Sequence, residues 1–280
     1  MQAVSKHTDG QLIAIDGKVL RSSYSREDRK STIHMVSAFA TANGVVMGQM
    51  KTDAKSNEIT AIPERLDILE LKGCLVTIDA MGCQTEIANK IIAKGGNYLL
   101  GVKGNQEKLM KAVQSQMKPQ IDDAILCYEK GHGRSEARAY AVLPAGELTA
   151  EFPNWPGLTS IGVAMSYRHS KGKDSLEYRY YISSTELSKE QFASAVRGYW
   201  GIENSLHWVL DTSFHEDDCQ IYRENAAEVL ATIRHMALNM LRQEKDKKAS
   251  IRRKQNIAAI NTSYLEKMLV AGLSAHQVEN

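Results

Sequence analysis

The sequence predicts a mixed α/β fold in which helices cover a mixed sheet. Three observations support this fold class. Apolar runs of strand length alternate with stretches of helical periodicity up to Val102. The Asn43-Gly44 pair between two of those runs is typical of a tight hairpin. Short β-type runs separated by turns fill residues 125–183, after which the pattern becomes helical.

The first elements follow the order strand, hairpin, helix, strand, helix, strand. The predicted strands are QLIAID (11–16), TIHMVSAFA (32–40), VVMGQM (45–50), CLVTIDA (74–80) and NYLLGV (97–102). The predicted helices are TAIPERLDILEL (60–71) and the segment from Thr85 to Ala93, which Gly95-Gly96 ends. Long helices are predicted over 190–209 and 224–243. This order favours a mixed sheet with helices on it.

Composition narrows the class of protein. A hydrophobic fraction of 43% supports a sizeable core, and a net charge of +2 does not by itself indicate nucleic acid. The four cysteines show no C-x-x-C spacing, which argues against a zinc ribbon or a redox dithiol. No apolar run approaches the roughly 18 residues that span a bilayer, and the N-terminus lacks a signal-peptide apolar region. We therefore expect a cytoplasmic protein that has no membrane partner.

Two acids end apolar strand candidates, Asp16 in IAIDGK and Asp79 in VTIDAMG, and each is followed by glycine within three residues. Neighbouring strands that end in this way bring carboxylates close together, and a divalent cation relieves their repulsion. A third acid, Glu203, lies on an apolar and aromatic helix, where a buried carboxylate needs a partner or a metal. An Asp at a strand end is commonly a turn or helix-cap residue, so each acid taken alone favours a structural role over a catalytic one.

Longer motifs make the pattern more specific. The segments AIDGKVLRSSY, KTDAKSNEI, VTIDAMGCQ, YLLGVKGNQ and RGYWGIENSLHWVLDTSFHEDD resemble the H-repeat-associated transposases, a branch of the DDE transposases of bacterial insertion sequences. The resemblance extends from about residue 10 to residue 243. It implies a ribonuclease-H-like fold with a β-rich insertion between the second Asp and the Glu. It also implies that Asp16, Asp79 and Glu203 are the catalytic carboxylates.

The resemblance assigns a role to each part of the chain. Residues 1–124 are the first part of the catalytic core, 125–184 the insertion, 185–243 the helical remainder that carries Glu203, and 244–280 a basic C-terminal tail. The implied cofactor is Mg²⁺ or Mn²⁺, two ions in all, with no organic cofactor. The implied partners are the terminal inverted repeats of the element, target DNA and a second copy of the chain.

The chain departs from the family pattern in two respects. Related transposases carry Tyr, Arg and Lys around the Glu, where this chain has Val196, Tyr199 and Leu210. We expect Arg197 and His207 to contact DNA in their place. The chain also begins just upstream of the first strand, whereas family members have an additional N-terminal domain. A catalytically inactive, truncated or domesticated DNA-binding relic is therefore one alternative, and a ribonuclease-H-like nuclease is another.

Further polar residues beside the acids are candidates for DNA contact. They are Lys18, Arg21, Lys103 and Asn105. The turn that carries Lys103 and Asn105 is equally readable as a polar surface turn. The basic stretch 242–254 either neutralises phosphates or forms a solvated helix face. We expect Trp200 and Trp208 to pack in the core and support the Glu203 helix rather than to act as platforms on which bases stack.

Overall fold

The structure is a computed structural model that describes residues 11–24, 32–52, 58–118, 124–131, 134–170 and 172–274. The chain forms two compact units. The first unit combines Met1–Glu70 with Trp200–Asn280, and the second consists of Leu71–Tyr199. This division cuts across the parts predicted from the sequence, because the helical remainder that begins at residue 185 contributes to both units.

The elements of the described ranges run in the following order. The strands are β1 (Leu12–Leu20), β2 (Ile33–Ala40), β3 (Val45–Thr52), β4 (Leu75–Ile78), β5 (Asn97–Val102), β6 (Ile125–Gly131), β7 (Arg134–Pro144), β8 (Ser160–Ser170) and β9 (Lys173–Ser183). The helices are α1 (Glu58–Asp67), α2 (Thr85–Ala93), α3 (Glu107–Met117), α4 (Leu148–Glu151), α5 (Lys189–Ile202), α6 (Trp208–Phe214), α7 (Ala226–Gln243), α8 (Ile251–Ile260) and α9 (Thr262–Ser274). A 3-10 turn covers Gly104–Gln106, and a π-helical segment, Glu203–His207, joins α5 to α6.

The sheet of the first unit is antiparallel, in the order β3-β2-β1. The predicted hairpin is confirmed, and Gly44 takes the left-handed backbone, with φ +64°, that such a turn requires. Strand β1 is longer than predicted, because its pairing with β2 continues past Asp16 as far as Leu20 opposite Ile33. The prediction that this strand ends at Asp16 is therefore wrong, and Asp16 lies in mid-strand opposite Ser37.

Helices cover this sheet and bury its apolar side chains. Helix α1 contacts β2 and β3, α7 contacts β3, and α8 and α9 pack on α7. Leu20, Ile33 and Met35 form a buried cluster with Ala227 and Ala231 of α7. Burial of such side chains is the main source of stability for the unit. Within the described ranges, no helix is both long enough and apolar enough to cross a membrane.

The sheet of the second unit is mixed. Strands β4 and β5 are parallel, the other pairs are antiparallel, and the order is β4-β5-β9-β8-β7-β6. The β-rich stretch predicted from the sequence forms β6 to β9. Phe192 of α5 packs edge-on against Tyr140 and Tyr181 and lies over Gly162, where an added Cβ would come within 2.6 Å of the ring. Sheets flanked by helices confirm the predicted mixed fold.

Candidate active site

Asp79 lies where the sequence places it, directly after a buried strand. Strand β4 ends at Ile78, and the half-buried Asp79 follows it at once. One carboxylate oxygen, Oδ1, accepts hydrogen bonds from the backbone N–H groups of Met81 at 2.9 Å and Gly82 at 3.3 Å. This turn fixes the direction of the carboxylate relative to the strand. The strand-end prediction for Asp79 is confirmed.

The neighbouring strand is shaped to accept this turn. Strand β5 runs parallel to β4, so the carboxyl ends of both strands lie at the same edge of the sheet. Gly101 of β5 lies against the turn, and a Cβ at this position would come within 3.3 Å of the backbone nitrogen of Ala80. Glycine therefore allows the Asp79 turn to approach β5 closely. In open α/β sheets, this edge is where functional groups collect.

Two side chains after β5 hold the Asp79 turn in place. The Asn105 side-chain amide donates to the carbonyl of Ala80 at 2.7 Å, and the Gln106 amide donates to the carbonyl of Cys83 at 3.0 Å. Asn105, which we expected to contact DNA, thus has an amide committed to the protein backbone. Lys103 is exposed and remains a predicted DNA contact. The sequence shows a polar turn here, but it cannot show which backbone the amides reach.

We predict that Asn105→Ala has a larger effect on the metal affinity expected of the Asp79 carboxylate than on the free energy of unfolding. Loss of one hydrogen bond costs about 1 kcal/mol of unfolding free energy. Loosening the support of a metal-binding carboxylate lowers metal affinity by about tenfold or more. Thermal unfolding measures the first effect, and the Mn²⁺ concentration that gives half-maximal DNA cleavage measures the second, if the chain has the activity that the resemblance implies.

Asn89→Ala is the matched control for this variant. The Asn89 amide makes the same kind of bond, to the Thr85 carbonyl at 2.8 Å, on helix α2. Because Asn89 is exposed inside a helix, where alanine is the better helix former, this variant should not lose stability and should keep the wild-type dependence on Mn²⁺. If Asn105→Ala and Asn89→Ala show the same Mn²⁺ dependence, Asn105 has no positioning role.

In the first unit, a histidine holds Asp16. The Asp16 side chain is a quarter exposed, and its Oδ2 lies 3.2 Å from His207 Nε2. Because an ionised carboxylate can only accept, the ring N–H donates in this pair. His207 itself is only 9% exposed. A buried ring is poorly placed to contact a phosphate, so the structure favours a role in orienting Asp16 over the DNA contact that we expected.

Glu203 begins the π-helical segment whose last residue is His207. Such segments are rare in proteins and are frequent at functional sites. The helical stretch turns Ile202, Leu206 and Leu210 inward, whereas Glu203 is exposed. One five-residue segment of the first unit therefore carries both the third candidate acid and the side chain that holds the first.

A second buried histidine, His235, lies close enough to His207 for its pKa to respond to that ring. His235 of α7 is 6% exposed, and burial lowers its pKa to about 3, with further lowering from His207, Lys18 and Arg242. The imidazole of His235 is therefore neutral at physiological pH. Because this ring carries no charge, the positive charges that balance the carboxylates of the first unit come from lysine and arginine side chains.

Lys18 is one of those cations, and it does not lie on the surface. Its side chain is 10% exposed, and its Nζ forms ion pairs with Asp211, with Glu216 at 3.0 Å and with Asp217 at 3.6 Å. Three carboxylates already neutralise the charge that we expected to meet DNA. Arg21 follows β1 directly and lies 3.3 Å from Asp217, and its side chain is 81% exposed.

The two tryptophans near Glu203 are more exposed than the sequence predicted. Trp200 is 37% exposed and Trp208 is 62% exposed, so the prediction that they pack in the core is wrong. The reason is that Leu206 and Leu210 occupy the inward face of this helix instead.

Arg197 is exposed on the part of α5 that belongs to the second unit, and it remains a predicted DNA contact.

The candidate acids suit a hard divalent cation. Asp16 and Glu203 belong to the first unit and Asp79 to the second. Carboxylate oxygens are the ligands that Mg²⁺ and Mn²⁺ prefer. Within the described ranges, no three His, Cys, Asp or Glu side chains form a group that could hold a metal ion. The metal-binding role of the three acids therefore stays a prediction.

The chain matches a family of DNA-mobilising proteins over most of its length. Residues 7–240 match the family described as "Transposase DDE domain". The chain is 48% identical over 283 residues to "Putative transposase YncI" of Escherichia coli O157:H7, covering 97% of this chain and 72% of that one. It is 46% identical over 277 residues to "H repeat-associated putative transposase YhhI" of Escherichia coli strain K12, covering 95% of this chain and 73% of that one.

A solved structure has a similar fold. It is the cryo-EM structure of the piggyBac transposase synaptic complex with hairpin DNA, with a TM-score of 0.51 and 12% sequence identity. The match covers 94% of this chain and 54% of that chain, so this chain corresponds to about half of the solved protein. The likeness confirms the predicted ribonuclease-H-like fold class. Taken with the family match, it shows that the chain belongs to the transposases with a DDE domain.

Proposed function

We propose that this chain cleaves DNA at the ends of an insertion sequence and joins the freed 3′ ends to target DNA. Asp16, Asp79 and Glu203 act in this proposal as the carboxylates that bind two divalent metal ions. The observation that carries it is that all three acids lie within the matched residues 7–240, each on a helix or strand or directly after one. A carboxylate on a rigid element is held in one direction, as metal binding requires.

The chemistry needs few other protein groups. Two bound ions of Mg²⁺ or Mn²⁺ supply activation of the attacking water or DNA 3′-hydroxyl and stabilisation of the leaving oxygen. The backbone N–H groups of Met81 and Gly82 orient Asp79, and His207 orients Asp16. Water and a DNA hydroxyl are the nucleophiles, so no covalent link between protein and DNA forms.

Exposed cations provide the contacts to DNA in this proposal. They are Arg21, Lys103 and Arg197. Such side chains neutralise phosphates and position the duplex, without reading its sequence. The solved piggyBac assembly is a synaptic complex with DNA. By analogy, we propose that two copies of this chain hold two element ends together, in the bacterial cytoplasm where the DNA lies.

The test uses the purified chain and labelled duplexes that carry the terminal repeats flanking its gene. Wild type should nick these ends and transfer them to a plasmid in Mg²⁺ or Mn²⁺, and it should be inactive in EDTA. Asp79→Asn should bind the same duplexes and cleave none of them. Binding without cleavage by both proteins would favour the inactive relic, and cleavage that ignores the repeat sequence would favour a general nuclease.

A further inference from the structure

An exposed indole follows Glu203 by five positions along the chain. Trp208 is the first residue of α6, directly after the π-helical segment that begins at Glu203, and it is 62% exposed. It is the most exposed of the three tryptophans, since Trp200 is 37% and Trp155 is 5% exposed. An indole offers a flat π-face on which a nucleobase can stack without sequence preference.

A cationic loop belongs to the helix that packs on α6. Helix α8 contacts α6. We call residues 245–253 the basic loop; they comprise the loop before α8 and the first three residues of that helix. This basic loop has five exposed cations and one exposed acid, Asp246. The cations are Lys245, Lys247, Lys248, Arg252 and Arg253. Such a charge excess is complementary to the phosphates of DNA and makes binding dependent on salt.

A buried ion pair fixes the two ends of the basic loop. Glu244, 3% exposed, and Lys254, 6% exposed, flank the loop, and Lys254 Nζ lies 2.9 Å from Glu244 Oε2. Lys254 also donates to the Leu241 carbonyl at 3.0 Å, and the Tyr264 hydroxyl donates to Glu244 Oε2 at 2.7 Å. Although burial alone would raise the pKa of Glu244, the hydrogen bonds from Lys254 and Tyr264 outweigh it and lower that pKa. The loop is therefore held in shape before any ligand arrives.

We infer that Trp208 and the basic loop together form a contact surface for the end of the DNA substrate. The indole stacks on an unpaired base at that end, and the loop cations neutralise the adjoining phosphates. This inference rests on the proposed function only in taking DNA as the substrate. It assigns a surface that does not include the three acids, and it favours the phosphate-neutralising alternative for the basic stretch 242–254.

Binding measured without cleavage tests the inference. Fluorescence anisotropy in EDTA would follow a labelled duplex that ends in unpaired nucleotides, for wild type and Trp208→Ala. Stacking of one base corresponds to a loss of affinity of about 5- to 100-fold in the variant. A duplex whose unpaired nucleotides are abasic should bind both proteins alike. Ile233→Ala, at a 54% exposed position of α7, is the apolar control and should bind like wild type.

Salt dependence tests the basic loop. Arg252→Ala combined with Arg253→Ala should reduce the slope of log affinity against log salt by about 2, since each phosphate contact contributes about 1. Lys267→Ala, an exposed cation on α9, is the control and should keep the wild-type slope. If Trp208→Ala binds the overhang duplex as tightly as wild type, or if the double variant keeps the full slope, the surface is not a DNA contact.

A parallel cleavage assay separates this inference from the proposed function. Wild type that cleaves element ends in Mn²⁺ while Trp208→Ala binds normally overturns the inference and leaves the proposed activity standing. Wild type that cleaves nothing while Trp208→Ala loses affinity for the overhang supports the inference and overturns the proposed activity.

Discussion

Glu203→Gln should fold like the wild type and lose strand transfer by a factor on the order of 10³ or more. The substitution keeps the size of the side chain and removes its charge, which a divalent ion needs in a ligand. A thousandfold loss corresponds to about 4 kcal/mol of transition-state stabilisation. Because Glu203 is exposed, its replacement should change the free energy of unfolding by less than about 0.5 kcal/mol. Single-turnover transfer rates and thermal unfolding measure the two quantities.

The matched control is Glu266→Gln, an exposed acid on α9 of the same unit. It makes the same chemical change away from the π-helical segment and should keep the wild-type rate. Binding of the uncleaved element end in EDTA should not weaken in either variant, because the negative charge that each substitution removes does not attract phosphate. Strand transfer by Glu203→Gln at the wild-type rate would remove this residue from the catalytic set.

The sequence was sufficient where local chemistry decides the structure. An Asn-Gly pair between two apolar runs specifies a tight turn, and Gly44 adopts the left-handed backbone there. A short apolar run followed by an acid and a glycine specifies a strand and a turn, as found around Asp79. In both cases, residues within a few positions of each other determine the turn, so the local sequence is enough to predict it.

The sequence was insufficient where distant residues supply the partner. The apolar run before Asp16 is too short to show that β1 continues, since pairing with β2 extends the strand to Leu20. Asn105 binds a carbonyl 25 positions earlier, and His207 meets an acid 191 positions earlier. No spacing rule anticipates such contacts. They show that Asn105 and His207, both expected to contact DNA, also make contacts within the protein.

Composition was a poor guide around Glu203. Ile202, Leu206 and Leu210 lie four positions apart and face the interior. This spacing leaves Trp208, two positions after Leu206, on the opposite side. Leu206 faces the interior, while Trp208 faces solvent. Aromatic residues near an acid therefore indicated a core that the structure does not have.

The second large effect is expected in the first unit, at Lys18. We predict that Lys18→Met lowers the free energy of unfolding by about 3–5 kcal/mol, because it leaves the largely buried acids around it without their cation. Glu216, at 2% exposure, is the most affected. The double variant Lys18→Met with Glu216→Gln should recover part of the loss, since it also removes the uncompensated charge. Chemical denaturation of the four proteins in this cycle measures the coupling.

An exposed ion pair supplies the control for Lys18, and pH supplies an independent test. Lys111 pairs with Glu107 at 2.6 Å, but both side chains are about two-thirds exposed, at 68% and 64%, so Lys111→Met should cost at most about 1 kcal/mol.

Burial lowers the pKa of Lys18, but the charges of Glu216 and Asp211 outweigh it and raise that pKa above its ordinary value of 10.5. A raised lysine pKa means that the stabilisation is fully present below pH 10.5 and is lost as the pH rises through the pKa of the folded state. Above pH 10.5, the free energy of unfolding should therefore fall in the wild type by an amount that it does not fall in Lys18→Met. If it falls equally in the two proteins as the pH rises, the buried cluster does not depend on the Lys18 charge.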